Sequence, residues 1–132
     1  MNENPTVLSG SCHCGTVQFE FDHEGGTDAA GLEKLAIKRC NCSLCKRKGT
    51  MMLTTRVGEF RIKRGAEALS LYQWNHDIAR HYFCSHCGIY THHQRRSNPL
   101  EIGVNVGCVD EIDVAECGVV VMGDGVGMSL VG

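Results

Sequence analysis

The stretch that decides the fold is Cys84-Ser85-His86-Cys87-Gly88. Two residues separate the cysteines, so both sulfur atoms can point at one metal ion. The glycine that follows can adopt φ > 0, which lets backbone N–H groups turn toward the two thiolates. One such pair supplies only half of the four ligands of a structural zinc site, so a second pair is expected elsewhere in the chain.

The most plausible second pair is Cys12 and Cys14, in the stretch SCHCG. Cys84 follows Cys14 by 70 residues, so a zinc ion held by both pairs would join the N-terminal strand to the middle of the sheet. Closing so long a loop stabilises the fold by restricting the unfolded chain, and the bound metal adds to this. His13 and His86 lie inside the pairs and could act as substitute ligands. Because four cysteines are available, we expect that neither histidine binds the metal.

A redox pair of the thioredoxin type is the alternative interpretation of Cys84 and Cys87. That motif normally opens a helix within an α/β pattern, and the chain shows neither feature. Alternating apolar and polar residues, separated by turns, instead predict an all-β domain. This alternation is found at 17–21, 60–63 and 102–106, a further strand is predicted at 69–74, and segments 80–83 and 89–93 lead into and out of the second cysteine pair. Segment 28–38 is compatible with a short helix or a loop, and the glycine-rich end, with its apolar run at 119–122, either closes the sheet or frays.

Length and composition limit the remaining possibilities. The chain has 132 residues, which fits a single domain (1–132) with a real core, and its nine cysteines stand out. The first residues, MNENPTVLSG, lack the basic and apolar regions of a signal peptide, and no long apolar run indicates a membrane span. We therefore expect a reducing compartment, where clustered cysteines more often bind metal or do chemistry than form disulfides. The net charge of −2 argues against nucleic acid as a partner.

Three more cysteines, Cys40, Cys42 and Cys45, lie in the stretch CNCSLCKRKG. Their spacing lets three sulfurs from one turn bind one metal ion, and catalytic zinc usually keeps three protein ligands and an open fourth position. Three thiolates give the zinc site a net negative charge, which suits binding of a soft thiol as thiolate better than activation of water. The site therefore favours chemistry on a thiol over hydrolysis. In the alternative interpretation, Cys108 or Cys117 supplies a fourth ligand, and the group forms a second, closed structural site.

Basic residues follow this cluster directly. Lys46, Arg47 and Lys48 would offset its negative charge and could hold the carboxylates of an anionic thiol. Arg95 and Arg96 are further candidates for anion binding. For both groups the alternative is ordinary solvated surface.

Two adjacent histidines, His92 and His93, would point to opposite faces of a strand and could not both serve one site. We expect one of them in the core and one on the surface.

The cysteine groups in this order, SCHCG, CNCSLCKRKG and HYFCSHCGIYTHHQRRSNP, followed by VNVGCVD, resemble the glutathione-dependent formaldehyde-activating enzymes and the related centromere protein V group. The resemblance covers about residues 10–110, and more weakly Asp124-Gly125, whereas the rest of 115–132 departs from it. It implies a mainly β, Mss4-like folded sheet (a β-tent) and a cytoplasmic location. It also implies a structural zinc on Cys12, Cys14, Cys84 and Cys87, and a second, catalytic zinc on Cys40, Cys42 and Cys45.

The activity that this resemblance implies is a carbon–sulfur lyase reaction. Glutathione and formaldehyde would combine reversibly to S-hydroxymethylglutathione, or a related glutathione adduct would be handled in the same way. The thiol would take the open position on the second zinc, and Lys46, Arg47 or Lys48 would neutralise its carboxylates. Tyr90 and His92 are candidate acids for the new hydroxyl group.

Two other functions stay open. One is a non-catalytic, zinc-stabilised binding module, which a fourth protein ligand at the second zinc would favour. The other is a redox enzyme with Cys108 as its reactive thiol, because methionine sulfoxide reductase B has a related fold with a four-cysteine zinc and a separate reactive cysteine.

Overall fold

The computed structural model describes residues 6–23, 37–73, 79–95, 98–117 and 121–123. These residues form two β-sheets, single 3₁₀ turns and the short helix α1 (Ser43–Lys48). The strands are β1 (Thr6–Ser11), β2 (Gln18–His23), β3 (Lys38–Cys40), β4 (Met52–Arg56), β5 (Phe60–Arg64), β6 (Leu69–Tyr72), β7 (Arg80–Cys84), β8 (Tyr90–Gln94), β9 (Glu101–Asn105) and β10 (Val121–Gly123). The 3₁₀ turns are Val57–Glu59, Ala66–Ala68, Val106–Cys108 and Val114–Glu116.

The two sheets differ in size. The smaller sheet has the strand order β1-β2-β5, and the larger has the order β10-β3-β4-β9-β8-β7-β6. Neighbouring strands pair antiparallel, except that β10 runs parallel to β3 at one edge of the larger sheet. The mainly β fold predicted from the sequence is confirmed.

Period-two alternation explains the smaller sheet. In β2, Phe19 and Phe21 are almost completely buried, whereas Glu20 and Asp22 point to the opposite face. There the guanidinium group of Arg61, on β5, lies 2.8 Å from the Glu20 carboxylate and 3.0 Å from that of Asp22. Since solvent screens ion pairs at the surface, the buried aromatic face is what fixes this sheet.

The core lies where apolar side chains of the two sheets meet. Phe19 and Phe21 from the smaller sheet belong to one buried cluster with Leu53 of β4 and Val104 of β9. Leu53 and Val104 are cross-strand partners, and both are completely buried. Truncating either would leave a cavity, so Leu53→Ala should cost about 2–5 kcal/mol.

Most of the predicted strands are present with shifted ends. The four predicted strands correspond to β2, β5, β6 and β9, and the two segments beside the cysteine pair form β7 and β8. The segment predicted at 102–106 ends one residue earlier, since Val106 begins a 3₁₀ turn. Part of the glycine-rich end forms the edge strand β10, and the last residue of 28–38, Lys38, begins β3.

Some expectations lie outside the described residues. These are the rest of segment 28–38 up to residue 36, the extension of β6 to Trp74, Arg96, and Asp124-Gly125. In the described part of the chain, no helix is long and apolar enough to cross a membrane.

Candidate metal centres and active site

The first cysteine group joins the two sheets. Cys12 and Cys14 lie in the loop between β1 and β2, Cys84 ends β7, and Cys87 lies in the turn that leads to β8. Sγ of Cys14 is 3.6 Å from Sγ of Cys12 and 3.7 Å from Sγ of Cys84, and the four sulfurs lie within 4.8 Å of one another. Four sulfurs at about 2.3 Å from a tetrahedral zinc would be about 3.8 Å apart. The group therefore fits a tetrahedral metal ion.

Backbone amides of this group donate toward the sulfurs. The N–H of Val17 points at Sγ of Cys12, and the N–H of His86 points at Sγ of Cys84, each at 3.3 Å. Gly88 has φ 78°, and its N–H donates to the carbonyl of Cys84 at 2.8 Å, which closes the turn as predicted. Hydrogen bonds from backbone N–H groups lower the pKa of the Cys87 thiol to about 6, whereas burial raises the pKa of Cys84 to about 11.

The two histidines inside these pairs are exposed at the surface. Nδ1 of His86 lies 3.5 Å from the hydroxyl of Thr16, and neither His86 nor His13 belongs to the ligand group. The four predicted sulfurs are thus the donor set that the fold brings together.

The second cysteine group is built by the start of α1. Sγ of Cys42 accepts from the N–H of Cys45 at 3.3 Å and caps the helix, and Cys40 ends β3 directly before it. Gly49 ends the helix in the left-handed region, with φ 65°. The Sγ atoms of Cys40, Cys42 and Cys45 lie within 4.8 Å of one another. This short, doubly capped helix is what lets three sulfurs converge.

Within the described residues, no fourth cysteine, histidine or carboxylate joins this second group. Cys108 is buried elsewhere, where its Sγ lies 3.5 Å from the carbonyl oxygen of Tyr90, and Sγ of Cys117 contacts the carbonyl of Asp113. The described residues therefore give no support to closure by Cys108 or Cys117. Burial also raises the pKa of Cys108 to about 11, the opposite of what a reactive thiol needs.

The thiols of the second group have different pKa shifts. Burial raises the pKa of Cys45, although the charge of Lys48 opposes this, and burial also raises that of Cys40. Burial opposes ionisation of Cys42 as well, but hydrogen bonds from Cys45 lower its pKa overall. Ionisation of all three thiols in so buried a group needs a cation, which a bound metal would supply.

The structure separates the three basic residues that follow these cysteines. Lys46 and Arg47 are exposed, and Nη1 of Arg47 donates to the Ser43 carbonyl at 2.9 Å. Lys48 instead turns inward, with Nζ 3.5 Å from the centre of the Tyr90 ring and 3.4 Å from Nδ1 of His81. Burial lowers the pKa of Lys48, although the neighbouring cysteines oppose the shift.

Polar side chains of β7 and β8 surround this lysine. The Tyr90 hydroxyl contacts Nδ1 of His93 and lies 3.4 Å from Sδ of Met52. The His81 and His93 rings stack with their centroids 5.1 Å apart. His81 could not be predicted as part of this cluster, because its place beside Lys48 depends on how α1 packs against the sheet. Its position in an alternating strand was the one available signal.

His92 lies on the other face of β8. Its ring packs between Phe60, at 4.6 Å, and Tyr82, at 4.8 Å, and burial lowers its pKa to about 4. The expectation that one of the two histidines lies at the surface is wrong: His92 is 5% exposed and His93 is 8% exposed. β8 is an inner strand of the larger sheet, and its side chains on both faces are buried. His92 thus packs in the core, whereas the Tyr90 hydroxyl lies in the polar cluster with His93.

Arg95 lies two residues after His93, close to the same cluster. Its Nη2 donates to the Thr54 hydroxyl at 2.7 Å, and its Nε lies 3.8 Å from a carboxylate oxygen of Glu101. Arg95 is thus half-buried and partly neutralised, unlike a solvated surface residue.

Comparison with known proteins identifies the family. A sequence model described as glutathione-dependent formaldehyde-activating enzyme matches residues 7–121 of this chain. A crystal structure of a Rhodobacter sphaeroides protein is similar over 87% of this chain and 99% of its own, with 43% sequence identity and a TM-score of 0.77. The family predicted from the cysteine groups is confirmed, and it is a family of enzymes. The chain belongs to the glutathione-dependent formaldehyde-activating enzyme family.

Proposed function

We propose that the protein is a zinc-dependent carbon–sulfur lyase that forms and cleaves S-hydroxymethylglutathione or a related glutathione adduct. The observation that carries the proposal is the convergence of three sulfurs, from Cys40, Cys42 and Cys45, with no fourth protein ligand among the described residues. A soft divalent metal held there would have room for one more ligand and would favour a thiol as thiolate. The four-cysteine group would hold a second, structural zinc, which joins the two sheets.

The reaction needs no oxidant or reductant. The thiol loses its proton, the sulfur forms a bond to the aldehyde carbon, and the electron pair of the C=O π bond moves to oxygen, which takes up a proton. In the reverse direction the C–S bond breaks and the aldehyde leaves. The chain's own contribution is to hold thiol and aldehyde together, which lowers the entropic cost of their encounter.

Lys48 is the residue whose positive charge lies beside the negative charge of the three-cysteine group. It lies one helical turn after Cys45, and its ammonium group is held by the Tyr90 ring and by His81. A cation fixed in this position offsets the negative charge of several thiolates. We assign the glutathione carboxylates to Lys46 and Arg47, whose exposed side chains extend from the same helix.

We assign protonation of the new hydroxyl group to solvent rather than to Tyr90 or His92. Burial raises the pKa of the Tyr90 hydroxyl well above the usual value, which makes it a weaker acid, and this hydroxyl contacts Nδ1 of His93. The His92 ring packs against Phe60 and Tyr82 in the core.

A cytoplasmic location is part of the proposal. All nine cysteines are free of disulfide bonds, which suits a reducing compartment.

Exchange spectroscopy with ¹³C-formaldehyde and glutathione tests the activity directly. The wild-type protein should accelerate exchange between free formaldehyde and its glutathione adduct above the spontaneous rate. Cys42→Ser should reduce the acceleration to the spontaneous background, because one of three metal ligands is lost. Cys117→Ser, outside both cysteine groups, is the matched control and should keep the activity. A metal-loaded wild-type protein without acceleration would contradict the proposal.

A further inference from the structure

Two imidazole rings on the face of the sheet beside α1 form a stacked pair. His81 on β7 and His93 on β8 are cross-strand partners, and the planes of their rings are 24° apart. Each side chain is only 8% exposed. On the next strand Gly103 pairs with His93, and a Cβ atom there would lie 2.8 Å from Nδ1 and 2.9 Å from Nε2 of that ring. The His93 ring thus lies flat on a position that only glycine leaves open.

The hydrogen-bond partners of the pair assign its tautomers. Nδ1 of His81 faces Nζ of Lys48 at 3.4 Å, and an ammonium group can only donate, so Nδ1 accepts and the ring proton is on Nε2. Nδ1 of His93 contacts the Tyr90 hydroxyl, whose other neighbour is the thioether of Met52. Because a thioether is a weak acceptor, the phenol donates to Nδ1 and again leaves the ring proton on Nε2.

Both rings are neutral at physiological pH. Burial lowers the pKa of His81 to about 4, and burial lowers that of His93 well below its usual value. The charge of Lys48 acts in the same direction on both. A neutral imidazole that presents Nε2–H is a hydrogen-bond donor and does not serve as an acid at this pH.

The two Nε2–H groups remain accessible. In the part of the chain that the structure describes, the fully buried side-chain nitrogen and oxygen atoms without a hydrogen bond are those of Thr50, Thr55 and Arg95. The Nε2 atoms of His81 and His93 are not among these fully buried atoms. Neither atom has a hydrogen-bond partner in the described residues, so each retains contact with solvent. Lys48, which touches His81, follows Cys45 by one helical turn, and its charge acts on the Cys45 thiol, so Lys48 connects the histidine pair to the three-cysteine group.

We propose that Nε2–H of His81 and Nε2–H of His93 together bind the carbonyl oxygen of a small aldehyde and stabilise the negative charge that develops on it. The inference rests on the proposed function and adds an oxyanion site to it. When sulfur attacks the carbonyl carbon, the π electrons move to the oxygen between the two donors. The proton released from the thiol goes to solvent, and the oxyanion takes its proton from solvent, so atoms and charge balance. Donors fixed before the reaction need no reorganisation when the charge appears.

Paired substitutions separate hydrogen bonding from packing. His81→Leu or His93→Leu removes one donor. Each variant should lower kcat by about 10²–10³-fold, the usual effect of losing one oxyanion donor, with KM for glutathione unchanged. His81→Gln and His93→Gln keep an N–H near the Nε2 position and should recover most of the activity. His92→Gln, at a buried histidine of the same strand but on its other face, is the control and should keep kcat. Unchanged kcat in the leucine variants, or equal losses with leucine and glutamine, would overturn the inference.

A second readout does not depend on turnover. Imidazole ¹⁵N spectra of the metal-loaded protein should show both histidines as Nε2–H tautomers, and formamide, an unreactive carbonyl compound, should shift both Nε2 resonances. Nδ1–H tautomers, or resonances that formamide leaves unmoved, would overturn the inference. A wild-type protein that shows these shifts but no lyase activity would instead contradict the proposed function.

Discussion

Replacing Gly103 with alanine tests how the sheet holds His93. The added Cβ would lie 2.8 Å from Nδ1 and 2.9 Å from Nε2 of the His93 ring, and closer still to Cε1, whereas ordinary contacts begin at 3.4 Å. The ring must therefore move by at least about half an ångström, which strains or breaks its hydrogen bond with Tyr90. Overpacking costs about 1–3 kcal/mol, and a lost buried hydrogen bond costs about 1 kcal/mol. We expect the free energy of unfolding to fall by about 2–4 kcal/mol.

The assay is urea unfolding of the metal-loaded protein, with a double-mutant cycle. In a His93→Ala background the ring is absent, so Gly103→Ala should cost less than about 0.5 kcal/mol, and the cycle should show a coupling of about 2 kcal/mol or more. Gly58→Ala is the control, because its Cβ would meet no atom within 4 Å. That control should stay within about 0.5 kcal/mol of the wild type. Additive effects at positions 103 and 93 would refute the claim that the ring occupies the space above Gly103.

Further predictions concern pH, metal and charge. Burial lowers the pKa of His92 to about 4 from an ordinary value of 6.5. Between these two pH values the unfolded chain protonates this imidazole and the folded chain does not, so the free energy of unfolding falls as pH drops from 6.5 to 4. His92→Leu should make that fall shallower by up to about 1.4 kcal/mol per pH unit in urea titrations, and parallel slopes would contradict the assignment. Cys87→Ser should lose one of two metal ions and several kcal/mol of stability, seen by metal analysis and unfolding; an unchanged metal content would refute the four-sulfur site. Lys48→Met should lower kcat about 10–100-fold, because a charge-assisted interaction is removed. Lys46 is exposed, so Lys46→Met should change only KM for glutathione, by an amount that corresponds to less than about 1 kcal/mol of binding free energy. Equal losses of kcat in Lys46→Met and Lys48→Met would contradict the different roles assigned to the two lysines.

Local patterns in the sequence predicted the two groups that the seven cysteines form, and four of the strands. Ligand spacing such as that of Cys84 and Cys87 is set by one turn of backbone, and alternation such as that of Phe19 and Phe21 is set by the pleat of a single strand. Neither depends on distant residues. The fold places the four sulfurs of the first group within 4.8 Å and those of the second group within the same distance.

Features that depend on packing between elements could not be predicted in this way. β3 has only three residues, and β1 contains Ser9 and Gly10 among its apolar residues, so neither strand shows a clear apolar–polar alternation. Pairing with the neighbouring strand, β4 for β3 and β2 for β1, holds each of them in place. Helix α1 is only six residues long and depends on its cap by Cys42. An isolated helix of this length would not form in water.

The histidines show the same limit. Alternation correctly placed His92 and His93 on opposite faces, but it could not show that both faces of β8 are covered. The pairing of His81 with His93 follows from the register between two strands, and the place of Lys48 between them and the cysteines follows from the packing of α1.

The most direct test of the central claim is the metal and sulfur coordination of the purified protein, with and without glutathione. We expect two zinc ions per chain in the wild type and one in Cys42→Ser. X-ray absorption should show the average number of sulfur ligands per zinc rising when glutathione is added to the wild type, and staying constant in Cys42→Ser. One zinc per chain in the wild type would contradict an open thiol-binding centre at Cys40, Cys42 and Cys45. Two zinc ions whose sulfur coordination does not change when glutathione is added would contradict it as well.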